Sequence, residues 1–206
     1  MNINTFPTKG NLIASKNSLA LARQGYGLMD KKRNILIHEL MGLIDEAKEI
    51  QKQIDTTFGA AYEALMYANI ELGIDFVSDV AGSVPVEDSI QIKTRSVMGT
   101  EIPLVRFDDA PMVPTYAYYS TRESLDKARE CFNEVKRLTV RLSMIENSAY
   151  RLASNIKKTQ KRANALKNIT IPTYENLTKN ITNALEEKDR EEFTRLKVIK
   201  SWKDAQ

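Results

Sequence analysis

The sequence predicts a mainly α protein: a long two-helix antiparallel coiled coil with a small central β-hairpin. No proline occurs between residues 8 and 84, and apolar side chains recur there every three or four residues. On heptad spacing from Leu12 to Ala68, 14 of 17 seam positions are apolar. A second stripe with the same spacing runs from Leu138 to Leu166. Because a sustained heptad stripe is buried against a partner helix, two such stripes predict a chain folded back on itself.

Residues 1–73 are predicted to form the N-terminal helix of the coiled coil. Thr8 or Asn11 is expected to cap its first turn, since hydroxyl and amide side chains accept hydrogen bonds from the free N–H groups there. Four glycines interrupt the pattern, at positions 25, 27, 42 and 59. Each costs about 1 kcal/mol of helix stability relative to alanine. We therefore expect these glycines to mark close approach of another backbone.

Residues 74–119 are predicted to be a connector that contains the β-hairpin. Four of the six prolines lie in this segment. Residues 89–94 alternate isoleucine with polar neighbours, and residues 100–107 are rich in residues that favour strands. Residues 97–100 between them are expected to form the turn.

Residues 120–206 are predicted to be the C-terminal helix of the coiled coil. Ser120 to Glu123 has the pattern of a capping box, and a kink or break is expected near Pro172 because proline removes a helical hydrogen bond. Pairing Leu72 with Ser120 at the turn places Arg33 near Thr159. The predicted seam consists of thirteen residues: Leu12, Leu19, Leu36, Leu40, Leu43, Ile50, Ile54, Leu138, Leu142, Ile145, Leu152, Ile156 and Leu166.

The net charge of +3 conceals a strong segregation of charge. Residues 1–38 hold six basic residues and one acidic residue, and residues 147–174 hold six basic residues and no acidic residue. The antiparallel pairing brings these two segments to one level, as a basic collar. Like charges concentrated in this way indicate an anionic partner.

No constellation of catalytic residues is found. A phosphate-binding glycine loop, a metal-spaced His and Cys cluster and a nucleophile elbow are all missing from the sequence. His38, the only histidine, is expected at the surface of a helix, and Cys131, the only cysteine, as an apolar helix residue. The acidic residues between Glu186 and Glu192 alternate with basic ones, which is typical of solvated helical charges. We expect no catalytic role, no cofactor and no metal.

Several segments of the chain resemble those of a known family. The residues that carry the resemblance are Pro7-Thr8-Lys9 with Leu12, Lys32 to Leu36, Ser96 to Gly99 with Ile102-Pro103, Asn155 to Arg162 with Asn164-Ala165-Leu166, Ile171-Pro172, and Glu186 to Lys200. Together they resemble the D subunit of V-type and A-type ATPases and ATP synthases. The matching segments follow the family's order along nearly the whole chain, and the segment 155–172 is the most specific.

The resemblance implies a non-catalytic rotor component of the central stalk. Such a component couples ATP synthesis or hydrolysis in the ring of A and B subunits to translocation of protons or sodium ions across the membrane. The implied partners are the catalytic A and B subunits, the small F subunit of the central stalk and the subunit that connects to the membrane rotor. The implied location is the cytoplasmic face of the membrane, as a peripheral component without membrane insertion.

The basic collar is expected to contact the catalytic ring. The residues assigned to this contact are Lys32, Arg33, Lys157, Lys158, Lys161 and Arg162. Two alternatives share part of the pattern. A static coiled-coil scaffold or adaptor has the same heptads, and a basic helical nucleic-acid-binding protein has the same collar. The second alternative lacks aromatic residues interleaved with the basic ones, and we expect no nucleic-acid partner.

Overall fold

A computed structural model describes residues 6–86, 88–106 and 115–204. Within them, the predicted mainly α fold with two long helices and a small β-hairpin is confirmed. The elements, in chain order, are α1 (Lys9–Leu72), α2 (Ile74–Gly82), β1 (Gln91–Val97), β2 (Thr100–Arg106), a 3₁₀ turn (Tyr118–Ser120), α3 (Glu123–Ala165), a π-helical turn (Leu166–Thr170) and α4 (Ile171–Asp204).

Helix α1 begins at a side-chain cap and ends at a glycine. The backbone N–H of Asn11 donates to Oγ1 of Thr8 at 3.2 Å, so Thr8 is the capping residue. Gly73 separates α1 from α2 with a φ of 87°. Glycine adopts this left-handed conformation without the steric cost that a Cβ atom brings. The chain therefore leaves the first helix where its sequence permits a positive φ.

The prediction that the four internal glycines mark close backbone approach is wrong. A Cβ atom built at Gly27, Gly42 or Gly59 meets no heavy atom within 4 Å, and one at Gly25 meets only Cδ1 of Leu166 at 3.8 Å. That distance is ordinary van der Waals contact with a side chain. These positions accept an alanine, and the glycines only weaken the helix.

Strands β1 and β2 form an antiparallel hairpin in the predicted position. Gln91 pairs with Arg106 at its open end, and Val97 pairs with Thr100 next to the turn. The two turn residues, Met98 and Gly99, have φ values of 49° and 74°. Two positive φ values are characteristic of a type I′ turn, whose twist matches that of the paired strands.

The chain divides into two compact units. The hairpin unit comprises Ile35–Ile156, and the terminal unit comprises Met1–Asn34 with Lys157–Gln206. In the hairpin unit, the buried side chains of α1 meet those of α3 in reverse order along the chain. Leu36 packs with Leu152, and the pair Ile50 and Ile54 packs with Ile145. These contacts make α1 and α3 antiparallel there.

The hairpin packs against α1 and α3 within the hairpin unit. Val97 and Ile102 share one buried cluster with Leu36 and Leu152. Polar contacts add to this packing, since Nη1 of Arg151 donates to the carbonyl of Glu101 at 3.2 Å. Asn155 also donates to Thr100. A two-stranded hairpin is marginal alone in water, and these contacts supply the support that it requires.

The terminal unit is held by smaller side chains. Its buried residues are Ser15, Ala22, Thr159, Ala163 and Ile181. None of the three apolar clusters found among the described residues includes a residue of this unit. An exposed ion pair joins Nη2 of Arg23 to Oε1 of Glu175 at 2.7 Å. Less apolar surface is thus buried per turn of helix in this unit.

The chain stays helical through Pro172. The N–H of Ile171 donates to the carbonyl of Leu166, five residues back, so the turn before the proline is a π turn. Proline has no N–H, and in a regular α-helix its ring collides with the carbonyl four residues earlier, here that of Asn168. A turn widened by one residue relieves this collision without ending the helix.

Candidate functional site

The thirteen predicted seam residues all lie in buried or half-buried positions. Five are buried: Leu36, Ile50, Ile54, Ile145 and Leu152. The other eight are half-buried: Leu12, Leu19, Leu40, Leu43, Leu138, Leu142, Ile156 and Leu166. Each unit contains members of the set from both long segments of the chain. That the thirteen act as one continuous seam stays a prediction.

Four of the six collar residues form an exposed basic face near the end of α3. Lys157, Lys158, Lys161 and Arg162 are all exposed, and none of their side chains has a hydrogen bond or an ion pair with another described residue. Their spacing of one, three and one residues places them on one side of the helix. The face therefore presents four uncompensated positive charges to an approaching molecule.

The other two collar residues, Lys32 and Arg33, lie on α1 and are half-buried. Nη1 of Arg33 donates to Oε1 of Gln160 on α3 at 2.9 Å, which confirms the expected pairing of Arg33 with the region of Thr159. Nη2 of Arg33 also forms an ion pair with Asp30 at 2.7 Å. The charge of Arg33 is thus largely compensated within the chain, a feature that the sequence pattern did not indicate.

Elsewhere in the described residues, the side chains that could act as catalysts or metal ligands lie apart from one another. His38 is exposed, and the thiol of Cys131 is free and half-buried. The acidic segment of α4 is exposed, and Glu191 forms an ion pair with Arg195 at 3.8 Å. Among the residues that the structure describes, no three His, Cys, Asp or Glu side chains are grouped so that they hold a metal ion.

Tyr116 connects the segment before α3 to that helix. Its hydroxyl donates to Oδ1 of Asp126 at 2.6 Å, and the guanidinium of Arg129 lies 5.2 Å from the centre of its ring. Burial raises the pKa of the Tyr116 hydroxyl above its ordinary value, and the hydrogen bond to Asp126 raises it further. Both effects favour the neutral phenol.

Replacing Tyr116 with phenylalanine is expected to lower the free energy of unfolding by about 1.5 kcal/mol at neutral pH, because the hydrogen bond to a carboxylate is lost. Because the pKa of the Tyr116 phenol is raised in the folded state, the phenol contributes to the free energy of unfolding below its unfolded-state pKa of about 10. This contribution is lost as the pH rises through the folded-state pKa. The difference between the parent chain and Y116F should therefore shrink above about pH 10. Urea unfolding over a pH series measures it.

The matched control for this prediction is Y119F, because the side chain of Tyr119 is fully exposed. We expect Y119F to unfold as the parent chain does at every pH. A constant difference between the parent chain and Y116F from neutral to strongly alkaline pH would contradict the assigned role of the phenol.

The fold and the site define a class of protein: a helical protein with antiparallel helices in its hairpin unit and an uncompensated basic face on α3. The family model of the ATP synthase D subunit matches residues 11–201. The chain belongs to this ATP synthase D-subunit family.

Individual relatives support the same assignment. The chain is 44% identical to the D subunit of the V-type ATP synthase of Thermotoga neapolitana, over 94% of the chain and 96% of the relative. It is 36% identical to the D subunit of the A-type ATP synthase of Pyrococcus furiosus, over 97% of the chain and 94% of the relative. It is also 35% identical to the corresponding A-type D subunit of Methanobrevibacter smithii, over 95% of the chain and 86% of the relative.

These findings confirm the resemblance that the sequence motifs indicated. Members of the family are non-catalytic subunits of the central stalk of V-type and A-type rotary ATPases. Membership decides between the three functions considered from the sequence, in favour of the stalk subunit. The complex is associated with a membrane, and none of the described helices combines the length and the apolar character needed to cross one.

Proposed function

We propose that the chain is the rotor shaft that couples ATP synthesis or hydrolysis in the A and B ring to translocation of protons or sodium ions. Family membership carries the proposal, and the packing of the helices supports it. In the hairpin unit, Leu36 and Leu152 are fully buried against each other and the hairpin. Close-packed interiors resist deformation, so helices joined in this way transmit torque better than separate helices.

The basic face is proposed as the contact with the catalytic ring. Lys157, Lys158, Lys161 and Arg162 supply its free charge, and the proposed contact also includes Lys32 on α1. Arg33 belongs to the proposed contact surface but adds little net charge to it, since Asp30 already compensates its charge. Attraction between this face and an acidic inner wall acts over a Debye length of roughly 10 Å and does not depend on interlocking shapes. Such a contact guides a rotating subunit without fixing one angle.

The remaining partners in the proposal are the small F subunit of the central stalk and the subunit that connects to the membrane rotor, at the cytoplasmic face of the membrane. An exposed apolar face on α1 supports a protein partner at the hairpin unit. Tyr62, Met66 and Ile70 are exposed at intervals of four residues. Contiguous exposed apolar side chains mark interaction surfaces, and this spacing suits a partner helix. We assign this face to the F subunit.

Rotation of the chain within the assembled complex tests the proposal. Tyr119 is fully exposed, so a cysteine placed there is accessible to a bead or a fluorophore when Cys131 is replaced by serine. We expect the label to rotate in one direction when ATP is supplied and the ring is immobilised. ATP turnover with a stationary label would refute the rotor and favour a static scaffold.

A further inference from the structure

The π turn on one helical segment lies opposite paired glycines on the other. Within the terminal unit, Cδ1 of Leu166 lies 3.8 Å from the position of a Cβ atom on Gly25. Leu166 is the first residue of the π turn, and Gly27 follows Gly25 after a single residue. The two features that weaken these helices therefore occur at the same level.

The α-helical pattern of hydrogen bonds is interrupted at the π turn, where the N–H of Ile171 bonds the carbonyl five residues earlier. Pro172 offers no N–H to the turn before it. Two threonine hydroxyls donate hydrogen bonds to backbone carbonyls here. Oγ1 of Thr173 donates to the carbonyl of Ile169 at 2.6 Å, and Oγ1 of Thr170 donates to that of Ala165 at 3.4 Å. Hydroxyl bonds of this kind compete with the helical ladder and bend helices. π turns inside helices are frequently found at functional sites.

Side-chain packing around the π turn is thin. Between the buried residues Ala163 and Ile181, no residue of the helix is buried, and Ile169 within the turn is exposed. On the facing segment of α1, Gly25 and Gly27 contribute no side chain, and Leu28 is exposed. Few buried apolar contacts and exposed backbone hydrogen bonds are the marks of a region that opens locally.

From these observations we infer that Gly25 to Gly27 and Leu166 to Pro172 form one site of local opening in the terminal unit, at which the paired helices bend or separate together. The role of this site under torque rests on the proposed rotor function, whereas its local opening does not. In a subunit that bears torque, the deformation is concentrated at this site. The opening itself is a property of the chain and is measured without rotation.

Hydrogen exchange of the full-length chain tests the inference, by mass spectrometry with peptide resolution. We expect amides in residues 22–29 and 166–175 to exchange much faster than those in residues 145–152, where Ile145, Ser148 and Leu152 are buried. The double variant G25A/G27A should slow exchange in both segments, by about fivefold for each glycine replaced. Both alanines fit, since nothing lies closer than 3.8 Å.

Two further variants make the result decisive. P172A restores an N–H to the helix and should slow exchange in residues 166–175. G42A is the matched control, because Gly42 also lies in α1 with open space around it but belongs to the hairpin unit. It should leave exchange in residues 166–175 unchanged.

Three outcomes would overturn the inference. The first is exchange in residues 166–175 that is as slow as in residues 145–152. The second is slowing by G25A/G27A that is confined to α1, and the third is equal slowing by G42A. The proposed rotor function is tested separately, since a stationary label in the rotation experiment leaves the exchange result untouched.

Discussion

The triple variant K158E/K161E/R162E is expected to assemble with the catalytic ring much more slowly than the parent chain and to lose rotation-coupled ATP turnover to the same extent. The substitution replaces three exposed positive charges by three negative ones on a face where no described residue compensates them. Electrostatic steering changes association rates by about 10-fold to 1000-fold, so reversal of the field should slow assembly by at least the lower figure. Assembly is measured by co-purification with the ring, and turnover by ATP hydrolysis in the reconstituted complex.

The control carries the same change of charge elsewhere. Lys52, Lys93 and Lys127 are exposed and belong to the hairpin unit, so K52E/K93E/K127E has an identical net charge without altering the basic face. We expect this control to assemble with the ring at close to the parent rate. If the collar variant assembled and turned over ATP as the parent complex does, the assigned contact would be refuted.

The substitution L152A is expected to cost about 3 kcal/mol of unfolding free energy. The side chain of Leu152 is fully buried, and it joins Leu36 on α1 to Val97 and Ile102 of the hairpin. Truncation leaves a cavity at the point where three elements meet, and little rearrangement is available to fill it. Because proteins of this size are stable by only about 5–15 kcal/mol, the loss is a large fraction of the total.

Urea unfolding followed by circular dichroism measures this effect. The matched control is L21A, the same chemical change at a side chain that is 73% exposed, for which we expect a change within about 0.5 kcal/mol. L36A should resemble L152A, and the double variant should cost less than the sum because the two side chains share one cluster. Equal effects of L152A and L21A would contradict the packing described here.

The sequence was sufficient to predict the helices, their antiparallel pairing and the hairpin. Heptad spacing reports directly which side of a helix is buried, and Leu36, Ile50 and Ile145 are buried as that spacing requires. The turn at Met98 and Gly99 was predicted from its position between two strand-like segments, and its φ values agree. These patterns are readable locally in the sequence, whereas the burial that stabilises the helices and the hairpin comes from contacts between them.

Other features depend on information that residue spacing does not contain. A π turn differs from an α turn by a single hydrogen-bond step, so the apolar pattern around Pro172 gave no indication of it. Predicting the ion pair of Arg33 with Asp30 requires the rotamers of both side chains, because both residues are equally suited to a solvated surface without pairing. The prediction of close backbone approach at the glycines in α1 is wrong for a related reason. A glycine is compatible both with close approach of a neighbouring backbone and with open space, and the sequence does not distinguish the two.

The end of α4 shows another limit of periodicity. Phe193, Leu196 and Ile199 continue the apolar pattern of the C-terminal helix, yet all three side chains are exposed. An apolar pattern indicates that a face is suited to burial, but it does not specify which molecule covers that face. In a subunit of a larger complex, part of such a pattern belongs to contacts with other chains.

The hairpin has a consequence for how copies of this protein behave in solution. An open sheet edge invites strands of neighbouring molecules to add to it. In the described hairpin, α3 covers the outer edge of β2, because the N–H of Val105 donates to Sδ of Met144 at 3.3 Å and the carbonyl of Glu101 accepts from Arg151. Lys93 and Arg95 on β1 are exposed, and so is Arg106 at the open end of the hairpin. Two hairpins that approach each other through β1 meet mutual repulsion of these charges, which protects the protein from polymerising through its smallest element.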